Sequence, residues 1–241
     1  MSGSLVTLYE GSEQARSIKI SGDLSDAHLM PLFTEEWTGS QIWAGSLFLA
    51  NWIMKEDRSP VRLALELGCG TGILSILAVI LGIPMIATDM PCLMDLVQNN
   101  AKTNLSTAEL SRFHCFPLVW GTPDVAQLFT KQQLLSMDQI FLADCINNIY
   151  GTESVIHLAS TLSEIQSKVR DHLEITMVYE SRGNDELFQT FVKAMKTKGF
   201  SCSLRASLPP NTPLNFPTLQ CEPSQMTHFT LHLYSFHHNE Q

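Results

Sequence analysis

This 241-residue sequence has few basic residues: Lys and Arg number 15, against 24 Asp and Glu, and the formal net charge is -9. Proteins that bind nucleic acids need clustered Lys and Arg to contact phosphates, and no such cluster occurs here. The composition therefore argues against a nucleic-acid partner. An acidic surface favours encounter with a basic protein or peptide, although many acidic proteins have no such partner.

The sequence also lacks the patterns that cysteine forms in metal sites. Its six cysteines include no C-x-x-C pair and no histidine at zinc spacing, so we predict no metal site and free thiols in a reducing compartment. No basic stretch leads into an apolar run at the N-terminus, as a signal peptide would require. We therefore expect a cytoplasmic protein, with the nucleus as a second location. We also expect the protein to be a monomer.

One run of residues without charge, 67–88, is long enough to raise the question of a membrane span. Four glycines and a proline interrupt this run and divide it into strand, loop, helix and strand. We therefore predict no contact with a membrane.

Strand-like and helix-like patterns alternate along most of the chain. Residues 61–67 form a short apolar run that ends at a glycine loop, and residues 74–81 place apolar side chains on one helical face. A helical pattern also covers 91–104, and further strand-like runs lie at 85–88, 114–119, 138–143 and 173–179. This alternation predicts an α/β fold with a doubly wound, mostly parallel sheet covered by helices on both faces.

The two ends of the chain depart from this alternation. Residues 5–9 and 16–20 alternate in polarity around a polar turn at 10–13 and predict an N-terminal β-hairpin. Residues 201–208 and 227–236 are strand-like, and a proline-rich loop without a helix joins them, so we predict an antiparallel C-terminal pair at the sheet edge. We expect a single domain, in which residues 1–40 are a hairpin extension and residues 41–241 form a seven-strand core.

The segment Glu66-Leu-Gly-Cys-Gly-Thr-Gly72 connects the first core strand to the next helix. Alternating glycines allow the backbone to approach a ligand closely at the carboxyl edge of a sheet. A dinucleotide fingerprint would need a further glycine where Ile73 stands. The motif therefore suits a nucleoside without a pyrophosphate, and a purely structural turn is the alternative.

Two acidic residues follow predicted strands at this edge. Asp89 lies about 20 residues after Gly68, where a carboxylate can accept hydrogen bonds from both ribose hydroxyls. Capping of the following helix is the alternative role. Ala143 and Asp144 end the fourth strand, which neighbours the first in a doubly wound order, so we place them beside the reactive end of the ligand.

Two tryptophans could contact the same ligand. Trp120 ends the third predicted strand and could stack on adenine, whereas Trp43 lies in an apolar helix predicted at 40–54 and could cover the opposite end. A place in the core is the alternative for each.

Together these residues resemble the family 16, or methyltransferase-like 21 type, of protein methyltransferases, several of which modify lysine. The resemblance covers the hairpin, the glycine motif and four further segments: Ile42-Trp43-Ala44-Gly45, Thr88-Asp89, Val119-Trp120-Gly121 and residues 142–146. It implies a seven-stranded Rossmann-like class I methyltransferase that uses S-adenosyl-L-methionine. The cofactor contacts that we expect are Trp43, Glu66, Gly68, Cys69, Gly70, Asp89, Trp120 and Ala143.

The resemblance also implies where the substrate binds. Asp144 begins the family's D-x-x-Y motif, but Asn147 stands where tyrosine is usual and Tyr150 lies three residues later. Residues 179–182, Tyr-Glu-Ser-Arg, resemble the family's segment beside the substrate channel. We expect Asp144, Asn147 and Tyr179 to be the catalytic residues, with Asp144 orienting the cofactor's amino group or the incoming nitrogen and aromatic rings lining the channel.

The expected partner is a basic or lysine-presenting protein, and the expected reaction is methyl transfer to a lysine side chain. Three alternatives stay open from the sequence. The acceptor could be another protein nitrogen, such as histidine or an N-terminal amine, or it could be a small molecule. Since Asn147 departs from the family pattern, a non-catalytic cofactor-binding module is the third.

Overall fold

The computed structural model describes residues 4–10, 14–23, 39–56, 60–169, 173–222 and 226–239. The strands are β1 Ser4–Glu10, β2 Gln14–Ile20, β3 Ala64–Leu67, β4 Met85–Asp89, β5 Phe113–Pro117, β6 Gln139–Ala143, β7 Glu174–Ser181, β8 Phe200–Leu208, β9 Leu219–Glu222 and β10 Thr230–His238. The α-helices are α1 Ala44–Lys55, α2 Ile73–Ile80, α3 Met94–Asn104, α4 Thr107–Leu110, α5 Lys131–Ser136, α6 Gly151–Gln166 and α7 Glu186–Thr197. Short 3₁₀ helices lie at Pro91–Leu93, Val125–Leu128 and Asn148–Tyr150.

A seven-stranded sheet in the order β5-β4-β3-β6-β7-β10-β8 confirms the predicted α/β fold. The strands from β5 to β7 pair in parallel, and β10 pairs antiparallel with both β7 and β8. The chain reverses its direction of winding between β5 and β6, so β3 lies between β4 and β6 at a topological switch point. Ligands of doubly wound sheets bind at such a point, outside the carboxyl ends of the strands.

Helices cover both faces of this sheet, which explains why its central strands are nearly continuous apolar runs. On one face, Leu47 of α1 and Ile76 of α2 belong to one buried apolar cluster. On the other face, Leu65 of β3 packs in a second cluster with Leu158 of α6 and Phe191 of α7. None of the described helices combines the length and the apolarity that crossing a lipid bilayer would require.

A second sheet has three strands in the order β2-β1-β9. The antiparallel pairing of β1 with β2 confirms the predicted hairpin, whereas its turn residues 11–13 and residues 24–38 of the predicted extension lie outside the described part of the chain. The strand β9 was not predicted, because it is short and follows a proline-rich segment. Its pairing places Leu219 opposite Leu8, and both side chains are buried. The division at residue 40 therefore separates the hairpin from a strand with which it pairs, and the single domain stays a prediction.

Several boundaries differ from the predicted ones, among them the following three. Trp43 precedes α1 in an extended conformation and is its N-cap, so it does not lie within the helix. The strand before Trp120 already ends at Pro117. The helix predicted at 91–104 begins as a 3₁₀ turn at Pro91–Leu93 and becomes α-helical at Met94.

Two asparagines of α3 attach the three-stranded sheet to the core. The amide of Asn100 accepts from the Ser21 N–H (2.9 Å) and donates to the carbonyls of Ser21 and Thr71 (both 3.0 Å). One turn later, the amide of Asn104 accepts from the Lys19 N–H and donates to the Lys19 carbonyl (both 2.8 Å). These side chains satisfy backbone groups of Lys19 in β2 and of Ser21 directly after it, which would otherwise lie at an open sheet edge.

We expect Asn100→Ala to destabilise the protein by about 2 to 3 kcal/mol, because Asn100 is only 3% exposed and its loss removes the bonds to the half-buried Ser21 and the buried Thr71. Urea unfolding monitored by circular dichroism measures this change. Asn99→Ala, at an exposed position of the same helix, is the matched control and should alter stability little. Equal stability of the two variants would contradict the anchoring role.

Candidate functional site

The glycine motif forms a loop that is hydrogen-bonded to the end of the neighbouring strand β4. The N–H groups of Gly68 and Cys69 donate to the Thr88 carbonyl at 2.9 and 3.0 Å. The Gly70 N–H donates to Oδ2 of Asp89 at 2.7 Å. The predicted loop and the predicted ribose carboxylate are therefore in direct contact at the switch point.

Close neighbours explain the need for glycine in this loop. Gly68 and Gly70 have φ values of +74° and +54°, a region that residues with a side chain rarely adopt. A Cβ on Gly68 would also lie 3.2 Å from Cζ2 of Trp120, and one on Gly70 would lie 3.0 Å from the Gly39 carbonyl oxygen. The loop therefore has the ring of Trp120 on one side and the segment that leads into α1 on the other.

Asp89 combines a structural role with free acceptor capacity. Its Oδ2 accepts from Gly70 and its Oδ1 accepts from the Met90 N–H, at 2.7 Å each. Burial raises the pKa of Asp89, while the two backbone N–H donors lower it. A carboxylate has about four lone-pair positions, so two acceptor positions are still available to hydroxyl groups of a ligand.

Glu66 lies in the core beneath the loop. Its side chain is 1% exposed and accepts a hydrogen bond from the Ser75 hydroxyl of α2. Burial raises the pKa of the Glu66 carboxyl to about 8. This position supports a role in holding strand, loop and helix together, and a direct contact of Glu66 with a cofactor stays a prediction.

Asp144 follows β6 and forms a buried ion pair. It has a φ of 55°, and its side chain is 3% exposed. Nη1 of Arg182 donates to Oδ1 of Asp144 at 3.1 Å, and Nη2 of the same guanidinium contacts both Oδ2 of Asp144 and Oε2 of Glu180. Burial raises the pKa of Asp144, and Arg182 lowers it.

Trp43 joins this cluster from the N-terminus of α1. Cζ of Arg182 lies 5.5 Å from the centroid of the Trp43 ring, a cation–π distance. Gly45, two residues further on, packs against Asp144, because a Cβ on it would lie 3.3 Å from Cβ of Asp144. The structure therefore brings together Trp43 and Asp144, which the sequence singled out, with Glu180 and Arg182, for which the sequence predicted no individual role.

Tyr179 packs against α7. Its ring stacks on Phe188 of α7, with centroids 4.3 Å apart, and its hydroxyl donates to Asp185 at 2.8 Å. Side chains alternate along a strand, so Tyr179 and Glu180 point to opposite faces of β7. The structure gives Tyr179 a packing role beside α7, where burial raises the pKa of its hydroxyl. Its predicted place in the substrate channel stays a prediction.

The remaining predicted residues lie around the same edge of the sheet. Asn147 caps the 3₁₀ helix Asn148–Tyr150 by accepting from the Ile149 N–H at 3.2 Å, and Tyr150 is 44% exposed. Cys69 is buried within the glycine loop, and Ala143 is buried at the end of β6. In the described part of the chain, no group of three or more His, Cys, Asp or Glu is arranged to hold a metal ion.

Comparison with known proteins gives this geometry a context. A family model described as lysine methyltransferase matches residues 33–198, more than half of the chain. Protein N-lysine methyltransferase METTL21A of Xenopus tropicalis is 27% identical over 160 residues, which cover 60% of this chain and 73% of that protein. Protein-lysine N-methyltransferase rrg1 of Schizosaccharomyces pombe is 28% identical over 189 residues, which cover 77% of this chain and 61% of that protein.

The fold is also found among solved structures. Magnesium protoporphyrin IX methyltransferase from Synechocystis, crystallised with bound SAM, aligns with a TM-score of 0.50 at 17% identity. The alignment covers 80% of this chain and 78% of that structure. A similarity of this kind shows a shared fold.

The Glu66 carboxyl should make stability depend on pH. Its pKa is about 8 in the folded protein, against an ordinary value of 4.5, so the folded state binds the proton more tightly. Its contribution to stability is therefore complete below about pH 4.5 and is lost as the pH rises through about 8. Relative to Glu66→Gln, which is neutral at every pH, we expect the melting temperature of the wild type to fall across this range.

Scanning calorimetry of both proteins over this range provides the test. The exposed Glu186→Gln is the control and should follow the wild type at each pH. A constant difference between the wild type and Glu66→Gln would show that Glu66 does not change its protonation on folding.

Proposed function

This chain belongs to the lysine methyltransferase family, and we propose that it transfers a methyl group from S-adenosyl-L-methionine to a lysine side chain of a protein. The observation that carries this proposal is the direct contact between the glycine loop and the Asp89 carboxylate at the switch point of the sheet. The two relatives are named as protein-lysine methyltransferases, which favours lysine as the acceptor.

The residues at this edge fit a nucleoside cofactor. The positive φ values at Gly68 and Gly70 allow close approach of the backbone, and Asp89 retains acceptor positions for ribose hydroxyls. Trp120 lies beside Gly68, where its ring can stack on adenine. Trp43 lies on the Asp144 side, where its ring can cover the methionine end. S-adenosyl-L-methionine, when bound, supplies a methyl group on a positively charged sulfur.

The protein's own contribution to the transfer is positioning and exclusion of water. A lysine ammonium must lose its proton before its nitrogen can attack, and the ionised carboxylate of Asp144 can orient that nitrogen by accepting a hydrogen bond. Its burial strengthens this interaction, since water does not compete effectively for the carboxylate. Because the lysine must be deprotonated before it attacks, activity should rise with pH.

Exposed apolar side chains near Asp144 support a protein substrate. Ile149 and Tyr150 follow Asp144 on the loop after β6, and Met226 and Phe229 precede β10, whose Thr230 pairs with Ser181 at the end of β7. Because β6, β7 and β10 are neighbours, these side chains flank the Asp144 cluster at one edge of the sheet. We propose that the chain segment around the substrate lysine docks there, and the net charge of -9 suits a basic segment.

Asp89→Ala should weaken the binding of S-adenosyl-L-methionine by about 1.5 to 3 kcal/mol, because hydrogen bonds to a charged acceptor are lost. Isothermal titration calorimetry with the cofactor measures this change. Asp95→Ala, at an exposed position in the first turn of α3, is the control and should bind nearly as well as the wild type. An unchanged affinity of Asp89→Ala would remove this carboxylate from the cofactor site.

Asp144→Asn should lower the rate of transfer to lysine by about a hundred-fold or more, because the orienting carboxylate is lost. Asparagine also tolerates the left-handed backbone at this position, so the change is mainly one of charge. Asp124→Asn is a matched control, since Asp124 has a φ of 56° and is exposed. The assay incubates each protein with radiolabelled S-adenosyl-L-methionine and cell extract, followed by amino-acid analysis of the labelled species.

The wild type and Asp124→Asn should both yield labelled methyl-lysine in protein. If the label appears only on histidine, on small molecules or on nucleic acid, the lysine assignment is wrong and the methyltransferase assignment survives.

A further inference from the structure

Arg182 contacts three side chains at the proposed site of methyl transfer. Its guanidinium binds both oxygens of Asp144, contacts Glu180, and lies over the ring of Trp43. The Arg182 side chain is 21% exposed, while those of Asp144 and Glu180 are 3% and 8% exposed. The guanidinium therefore lies between two buried carboxylates and an aromatic ring.

A guanidinium that binds a carboxylate through two parallel hydrogen bonds fixes its orientation as well as its charge. Without a partner, a carboxyl as buried as that of Asp144 would tend to bind a proton, because burial disfavours the charged form. Burial raises the pKa of Asp144, and the hydrogen bonds and charge of Arg182 oppose this rise. Arginine keeps its proton at every working pH, so Arg182 lowers the pKa of Asp144 under all of these conditions.

We propose that Arg182 is a positioning residue for methyl transfer: it holds the Asp144 carboxylate charged and in one orientation, and it couples that carboxylate to Trp43. The proposal rests on the proposed function of Asp144 as the group that orients the lysine nitrogen. Arg182 itself need not touch the substrate or the cofactor.

Glu180 has a second part in this arrangement. Nη2 of Arg182 contacts the carboxylates of both Glu180 and Asp144. Glu180 therefore competes with Asp144 for this donor, and it also helps to hold the guanidinium in place. When both carboxyl groups are ionised, they carry one more negative charge than the Arg182 guanidinium balances. An excess of negative charge attracts a lysine ammonium to the cluster, and the ammonium still has to lose its proton before its nitrogen attacks.

Other titratable groups also face this cluster, and their signs matter for the test. Glu180 and Arg182 face Asp144 from the end of β7 and the segment after it. Tyr179, on the other face of β7, and the thiol of Cys145 lie within range of the Asp144 charge. His228, just before β10, faces Glu180 and lowers its pKa. Removing Arg182 and removing the charge of Glu180 should therefore move the titration of Asp144 in opposite directions.

The test measures the ionisation of Asp144 directly, in full-length protein without cofactor or substrate. Aspartate labelled with ¹³C at the carboxyl carbon is incorporated, and Asp144→Asn identifies the Asp144 signal by its absence. We expect the Asp144 titration midpoint to move to higher pH in Arg182→Met and to lower pH in Glu180→Gln. Arg182→Lys, which keeps the charge without the two parallel bonds, should give a midpoint between those of the wild type and Arg182→Met.

Turnover provides the second measurement. The rate of Arg182→Met relative to the wild type should be several-fold lower at pH 6 than at pH 9, because more of its Asp144 is protonated at the lower pH. Arg205→Met, at an exposed position of β8, is the control and should show no pH-dependent difference. A purely structural Arg182 would lower the melting temperature and leave the shape of the pH profile unchanged.

The outcomes separate this proposal from the proposed function. An Asp144 midpoint that does not move in Arg182→Lys and in Glu180→Gln overturns the positioning role, even if Arg182→Met does not fold. A normal shift of the midpoint together with no transfer to lysine by the wild type overturns the proposed function and leaves the electrostatic coupling of Arg182 to Asp144 intact.

Discussion

The hydrogen bond from the Gly70 N–H to Asp89 is the contact on which the rest of the site depends. It joins the loop after β3 to the end of β4, and two further bonds from the loop to the Thr88 carbonyl strengthen this junction. A left-handed backbone is costly for most residues, so glycine at positions 68 and 70 allows the loop to adopt the conformation that reaches Asp89. The same loop leads directly into α2, and Trp120 and Gly39 lie close to its glycines.

The N-terminal and C-terminal parts of the chain reinforce this junction from outside. The sheet β2-β1-β9 combines the hairpin with a strand from near the C-terminus, and Asn100 joins its Ser21 to Thr71 of the glycine loop. A displacement of this small sheet would therefore also displace the glycine loop. The arrangement explains why a segment remote in sequence from the site contributes to its geometry.

Two buried carboxyl groups are stabilised here by different means. Glu66 lies beneath the loop, and burial raises its pKa to about 8, so near neutral pH it is largely protonated and forms a hydrogen bond with Ser75. Asp144 is paired with Arg182, which opposes the effect of burial and favours the charged form. A neutral group suits a structural position, whereas a charged one suits a position that receives a cation.

The sequence by itself determined the alternation of strands and helices, the hairpin, the glycine loop and the two acids at the ends of β4 and β6, because hydrophobic period, glycine spacing and strand ends are local signals. It did not predict β9 or the burial of Tyr179 under α7. It also did not predict that Arg182 pairs with Asp144 and Glu180. Only the tertiary structure decided these, because they depend on which strands become neighbours and on which face each side chain points to. Local patterns of residues do not contain that information, and one residue along β7 separates a ring in the core from a carboxylate at the site.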